Sequence, residues 1–142
     1  MQLPRYLLTL AGCAALTGAA FATPNTLHHM GNAMHPAIVN INMAAQNRSR
    51  QNGTARLNQA GANVMVKVAI FNQPKGVAEP AHIHRGTCAH LNPVPYKPLK
   101  SVVNGTSVTA LNMNLGSLKR GHFAINVHDA RNLKRYVSCG DI

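Results

Sequence analysis

Pro80–Ala81–His82–Ile83–His84–Arg85–Gly86–Thr87–Cys88–Ala89–His90–Leu91–Asn92–Pro93 gathers three imidazoles and a thiol into fourteen residues. As a β-strand, Ala81–Arg85 sends alternate side chains to opposite faces, so Ile83 enters a core while His82 and His84 leave from the other side. Two imidazoles so placed stand roughly 6.5–7 Å apart along the strand and can converge on one ion. His122–Phe123–Ala124–Ile125–Asn126–Val127–His128 alternates in the same way, with Phe123, Ile125 and Val127 inward and His128 outward. Together the two stretches predict strands around an apolar interior. They also predict a metal site of His82, His84 and His128, joined by His90, on the outside of a β-sandwich.

Outward from this stretch the chain keeps the period of strands. Val39, Ile41 and Met43 alternate with Asn40 and Asn42, and Gln46–Gly53 reads as a polar loop. Thr54–Leu57 resumes a strand, and Asn58–Gln59–Ala60–Gly61 reads as a turn. Asn63–Phe71 is the clearest strand, with Val64, Val66, Val68 and Ile70 on one face. Asn72–Pro80 is a connection, and Leu91–Pro98, with three prolines, reads as loop. Asn104–Gly105 between Lys100–Val103 and Thr106–Leu111 is a two-residue hairpin signal. Leu118–Gly121 reads as a turn, Asp129–Lys134 as a polar loop and Tyr136–Ile142 as the last strand. No segment sustains helical periodicity. Short strands at this spacing argue an all-β sandwich or flattened barrel over residues 37–142.

Residues 1–22 read as a secretory signal. Arg5 gives the positive start, Tyr6–Ala20 is apolar, and Ala20–Phe21–Ala22 is a small-x-small cleavage site. Leu10–Ala11–Gly12–Cys13 resembles a bacterial lipobox, and lipidation of Cys13 would add a membrane anchor. Export, most simply to a bacterial periplasm, gives the remaining cysteines a role: Cys88 and Cys139 form an even pair in an oxidising compartment and are expected to be bridged. Two metal-binding thiolates are the alternative, without a C-x-x-C to support it. Fourteen Lys and Arg face only Glu79, Asp129 and Asp141, a net charge of +11. Such a field attracts anions, superoxide among them. Few aromatics and no recognisable binding motif speak against nucleic acid.

Residues 23–36 read as a flexible leader, and His28, His29, Met30, Met34 and His35 in it as a second, looser set of candidate metal ligands. Imidazole with thioether suits copper, Met favouring Cu(I), and the absence of nearby carboxylates argues against calcium or magnesium. The alternative is a disordered leader of chance composition. For the main site, three or four imidazoles without thiolate or carboxylate suit Cu(II), and a three-His zinc site is the competitor. With so few acidic residues and the cysteines paired, no Ser–His–Asp or Cys–His nucleophile arrangement fits.

His82–Ile83–His84, Gly86, Cys88 and His90–Leu91–Asn92–Pro93 resemble the copper segment of the Cu/Zn superoxide dismutases. There an H-x-H pair precedes a disulfide cysteine and a bridging His in an H-x-N-P context. Asn126–Val127–His128 with Asp129 resembles that family's late copper-ligand strand, and Cys139–Gly140–Asp141–Ile142 its Cys-Gly ending. The CHRD domain, which also carries H-I-H and N-V-H, is a close alternative relative. The resemblance implies a Greek-key β-sandwich or flattened barrel. Its zinc-loop residues are missing from Asn92–Val103, so zinc is expected to be absent. The family's arginine position is Tyr136 here, with Arg135 one place away as a catalytic candidate and Arg85 as a weaker one. These readings imply an exported copper-binding protein that handles or buffers copper, alone or with other envelope copper-handling proteins. The alternative is a copper-only superoxide dismutase.

Overall fold

The computed structural model describes residues 37–142. The residues read as a secretory signal, with Cys13, and those read as a leader, His28, His29, Met30, Met34 and His35, lie outside them. Eight antiparallel strands form a closed barrel: β1 (Ile38–Ala45), β2 (Gly53–Ala60), β3 (Asn63–Ile70), β4 (Ala78–Thr87), β5 (His90–Val103), β6 (Thr106–Asn112), β7 (Phe123–Asp129) and β8 (Asn132–Asp141). Their order around the barrel is β1-β2-β3-β6-β5-β4-β7-β8. The run β4–β5–β6 is a meander with β7 returning beside β4, which is a Greek key. The expected all-β flattened barrel is therefore the observed class.

The interior follows from alternation. Ile41 and Met43 of β1, Ala55 and Leu57 of β2, and Val64, Val66, Val68 and Ile70 of β3 are buried in one cluster. Ile83 of β4 and Phe123, Ile125 and Val127 of β7 complete it from the far side. Removal of this apolar surface from water is the main force closing the barrel. Asn104 and Gly105 both adopt positive φ, 50° and 82°, as a two-residue turn matched to the twist of β5 and β6 requires.

Four sequence readings are corrected. Leu91–Pro98 is not loop but part of β5, a strand of 14 residues. Its partner β4 absorbs the irregularity through register shifts, with His84 opposite Pro95 and His82 opposite Pro98. On its other side β5 meets β6 in the ladder only at Val103↔Thr106. Pro93, Pro95 and Pro98 therefore leave no ladder bond unmade on that side, where a missing N–H is tolerated. Asn58–Ala60 continues β2 rather than turning, because its partners Met65, Val64 and Asn63 extend the ladder with β3. Asp129–Lys134 is mostly strand, reversed within two residues by the pairing of Asp129 with Asn132. Finally, Leu118–Gly121 belongs to a short helix, α1 (Leu115–Arg120), capped by the Asn114 side chain on Gly116 N at 2.7 Å. Six residues are too few to show a period, but Leu115 and Leu118 reach the core.

Gly86 stands near the end of β4, after both of its clustered histidines, at φ +100°, and a Cβ there would run into the His90 carbonyl. Its N–H donates to the His122 carbonyl at 2.8 Å, joining β4 to the start of β7. Gly86→Ala is expected to cost on the order of 2 kcal/mol or more, seen as a fall in the urea midpoint at unchanged m-value.

Candidate metal centre

β4 and β7 are direct neighbours, with His82 opposite Asn126 and His84 opposite Ala124. Side chains at Ile83, Ile125 and Val127 point to the core, so those of His82, His84 and His128 share the other face. One ring nitrogen from each of these histidines forms a group whose members all lie within 4.8 Å of one another. The ring centroids are 4.9 to 5.9 Å apart.

This face is covered rather than open. His84 is wholly buried, His128 is 6% exposed, and His82 is half-buried. The histidines leave on the face opposite the core, as the alternation predicts, but that face is covered there by other parts of the chain. The reason is local. β5 folds back along β4, and the Asn92 carbonyl sits 2.7 Å from His84 Nδ1. The hairpin after β7 brings the Leu133 carbonyl within 2.6 Å of His128 Nδ1. Tyr136, directly opposite His128 in the ladder, packs edge-on against it with ring centroids 5.1 Å apart.

These carbonyls decide the tautomers. A carbonyl only accepts, so Nδ1 of His84 and of His128 carries the proton and donates, leaving each Nε2 as a free lone pair. Both Nε2 atoms, and Nδ1 of His82, are buried without a hydrogen-bond partner among the described residues. Three buried, unpartnered ring nitrogens, two of them acceptors by tautomer, are costly unless something electron-poor lies between them. Orientation of metal-binding imidazoles by a hydrogen bond at the second nitrogen is a usual device. Three atoms at the 4.8 Å limit surround a point about 2.8 Å from each, so inward shifts of about 0.8 Å or less reach the ~2.0–2.1 Å of a metal–imidazole bond. The three histidines fit a metal ion.

His90 is not in the group. It lies exposed at the start of β5, paired with Thr87 at the tip of the β4–β5 hairpin. His122 is also exposed and contributes its backbone carbonyl to Gly86. Arg85 turns away from the cluster and stacks over the Tyr96 ring at 4.5 Å. Arg135 stands beyond Tyr136, with Nη1 on Asp129 Oδ2 and Nη2 on the Asn47 carbonyl, both at 2.9 Å. The Arg131 backbone N–H and the Arg135 guanidinium hold the Asp129 carboxyl below the usual carboxylate range. Cys88 and Cys139 form a disulfide, their Cα atoms 5.8 Å apart. Sequence reasoning missed the two orienting carbonyls, because both fall in stretches read as loop. It met Tyr136 only as an absent arginine, although its place directly opposite His128 follows once the β7–β8 turn is known to be short.

Compared with models of protein families, with curated proteins and with solved structures, the chain matches none.

Burial, then the rings of His128 and His84, push His82 below its ordinary 6.5. Burial lowers His128 as well, opposed by the hydrogen bond to Leu133 and assisted by His84. Below about 6.5 the unfolded chain therefore binds more protons than the folded one. The stability of metal-free protein is expected to be full above about pH 6.5 and to be lost progressively as the pH falls through the lowered folded values. Denaturant midpoints of chelator-treated protein from about pH 7.5 to about pH 5 check this, and a flat profile would contradict it.

Proposed function

We propose that this chain is an exported copper-binding protein, with the ion held by His82 Nδ1, His84 Nε2 and His128 Nε2. The observation that carries the reading is the convergence of three buried, unpartnered ring nitrogens, two of them with tautomers set by backbone carbonyls. An all-imidazole donor set, without thiolate or carboxylate, suits copper, and zinc is the competitor. The resemblance of His82–Pro93, Asn126–Asp129 and Cys139–Ile142 to the Cu/Zn superoxide dismutases supports copper over zinc. The disulfide agrees with an oxidising compartment, and the signal-like residues 1–22 with export to the periplasm. Copper handling or buffering, alone or with other envelope copper proteins, is the role in which no further catalytic group is required.

A second reading, a copper-only superoxide dismutase, is favoured by the partial exposure of His82 and by the charge of +11. Copper would supply a one-electron couple, and the overall reaction takes two superoxide ions and two protons to dioxygen and hydrogen peroxide. The chain would hold the imidazoles in fixed tautomers, keep one side reachable by a small anion and draw that anion in through its positive field.

The deciding experiment measures copper and zinc affinity of the protein, then the superoxide dismutation rate after loading with one copper equivalent, against His128→Ala. A rate near the diffusional ceiling of about 10⁸–10⁹ M⁻¹s⁻¹, falling with ionic strength and lost in the variant, makes it an enzyme. Tight copper with a slow rate makes it a carrier or buffer. Absence of copper binding ends both readings.

A further inference from the structure

Neighbouring strands of the barrel are antiparallel, so its connections alternate between two ends, and β1–β2, β3–β4, β5–β6 and β7–β8 all turn at the same one. These four connections are tied to one another. Phe71 N donates to the Asn52 carbonyl at 2.7 Å and Asn72 Nδ2 to the Arg50 carbonyl at 2.9 Å, joining β1–β2 to β3–β4. Arg135 Nη2 donates to the Asn47 carbonyl, joining β1–β2 to the start of β8. Gly76 N donates to Asn104 Oδ1 at 3.3 Å and Ile70 N to the Gly105 carbonyl at 2.7 Å, joining β3–β4 to the β5–β6 turn. A surface braced in this way loses little conformational entropy when something docks on it.

This end carries a surplus of positive charge. Arg48 and Arg50 in β1–β2, Lys75 in β3–β4 and Arg131 in β7–β8 are exposed, as is Lys134 just inside β8. Two acids stand near them. Asp129 is held by Arg135 in the one ion pair among the described residues, and Glu79 is buried. Cations gathered without exposed counter-charges repel one another, and a surface of the opposite sign relieves that repulsion. Large apolar side chains stand out at the same end. Phe71, directly after β3, is 67% exposed, Leu133 at the start of β8 is 58% exposed, and Val103 beside the β5–β6 turn is 42% exposed. Phe71 shares a shallow hollow with Lys75 and the Asn104–Gly105 turn, so apolar and cationic groups are neighbours there. Exposed apolar residues scattered singly need no explanation, but three from three different connections at one basic end mark a docking surface.

We infer that this end of the barrel docks on an anionic lipid bilayer, with Phe71 and Leu133 entering the boundary between headgroups and acyl chains and the unpaired Arg and Lys side chains around them on lipid phosphates. Binding of this kind grows with the apolar area buried and with attraction to anionic lipid, and both contributions are present here. A soluble acidic macromolecule would engage the cations alone and leave the apolar side chains in water. The presence of both kinds at one end therefore selects the lipid surface. Each cation near such a surface is worth about fivefold in partition, and burial of an exposed aromatic ring adds to it. The β7–β8 hairpin also holds His128 through the Leu133 carbonyl, so docking sets the histidine cluster close to the membrane. The inference is independent of what the histidines hold.

The test measures co-sedimentation of the full chain with vesicles of phosphatidylcholine alone and of equal parts phosphatidylcholine and phosphatidylglycerol. The parent is expected to favour the anionic vesicles. Arg48→Gln with Arg131→Gln should lose about twenty-five-fold on them, two cations at about fivefold each. Phe71→Ser should lose about fivefold or more on the same vesicles, yet bind dextran sulfate, a soluble polyanion, as the parent does. Lys119→Gln with Arg120→Gln, in α1 at the opposite end, should lose less than about twofold, because those charges stand a strand's length away, beyond the ~8–10 Å screening length. All of these side chains are exposed, so the barrel is expected to fold in each variant. Residues 1–22 are common to every variant, and hydrogen exchange reads the contact itself: amides of residues 71–77 and 130–133 should slow on anionic vesicles while those of 113–122 do not. An equal loss in the α1 variant, or no slowing at 71–77, would overturn the assignment. Unchanged vesicle binding by Phe71→Ser would overturn it too, in favour of a soluble acidic partner.

Discussion

His82→Ala is expected to weaken metal binding by at least about a hundredfold while the barrel stays folded. Loss of an outer partner of a metal ligand typically costs ~10–100-fold, and a direct ligand sets at least the upper end of that range. His82 is the most informative of the three sites. His84 is wholly buried and His128 nearly so, and each holds a backbone carbonyl whose partner would be lost with the ring. His82 is half-buried, and its Nδ1 has no protein partner to abandon. Competition with a chelator of known affinity reads the effect. His90→Ala and His122→Ala, at exposed positions, should bind as the parent does. If His90→Ala weakened binding as much as His82→Ala, the site would draw on the β4–β5 tip and the three-histidine description would fail. The same substitution removes one of the two imidazoles that burial holds below their ordinary value, so it should flatten the acid loss of stability in metal-free protein.

The second large effect belongs to the disulfide. Replacing Cys88 and Cys139 together by serine is expected to lower unfolding free energy by about 4 kcal/mol, the chain-entropy value for a closed loop of 51 residues. Against the ~5–15 kcal/mol of a typical domain this is a large share, so the variant's denaturant midpoint should fall far below the parent's. A midpoint within experimental error of the parent would mean that the loop is already held by the barrel alone. The bond also matters for the histidines. Cys88 follows β4, Cys139 lies in β8, and β7 runs between those strands with Asn126 paired to both His82 and Cys139. The bridge therefore spans the strand that bears His128. Its removal should loosen the metal centre by less than loss of a ligand does, because every imidazole remains.

What could be read from the sequence was whatever depends on neighbours along the chain. The inward faces of β1, β3 and β7, the Asn104–Gly105 turn and the pairing of His82 with His84 follow from a period of two. Bringing His128 to them required only that two alternating strands lie side by side. What escaped depends on contacts across the barrel. The prolines of β5 read as strand breakers because their harmlessness rests on an unpaired side of that strand. His128 read as outward because alternation says which residues leave the core, not what covers the far face. The carbonyls of Asn92 and Leu133 carry no side-chain signal at all. His90 shares the residue type and neighbourhood of the ligands, but the hairpin tip carries it away from them.

The barrel closes where its first and last strands meet, through the pairs Ala44↔Cys139 and Ala45↔Ser138. These pairs join residues 95 and 93 positions apart, and the Ser138 hydroxyl also reaches the Ala44 carbonyl, 94 positions away. This seam, like that between β7 and β8, has to wait for β8, and it alone joins the two ends of the sheet. Folding is therefore governed by non-local pairing and belongs to the slow, millisecond-to-second end for domains of this size. Until β8 arrives, β1 presents a free edge to other chains, and Cys88 has no partner of its own. An oxidant acting too early would meet a lone thiol on a half-closed sheet, so the order of closure and oxidation governs the yield of native protein.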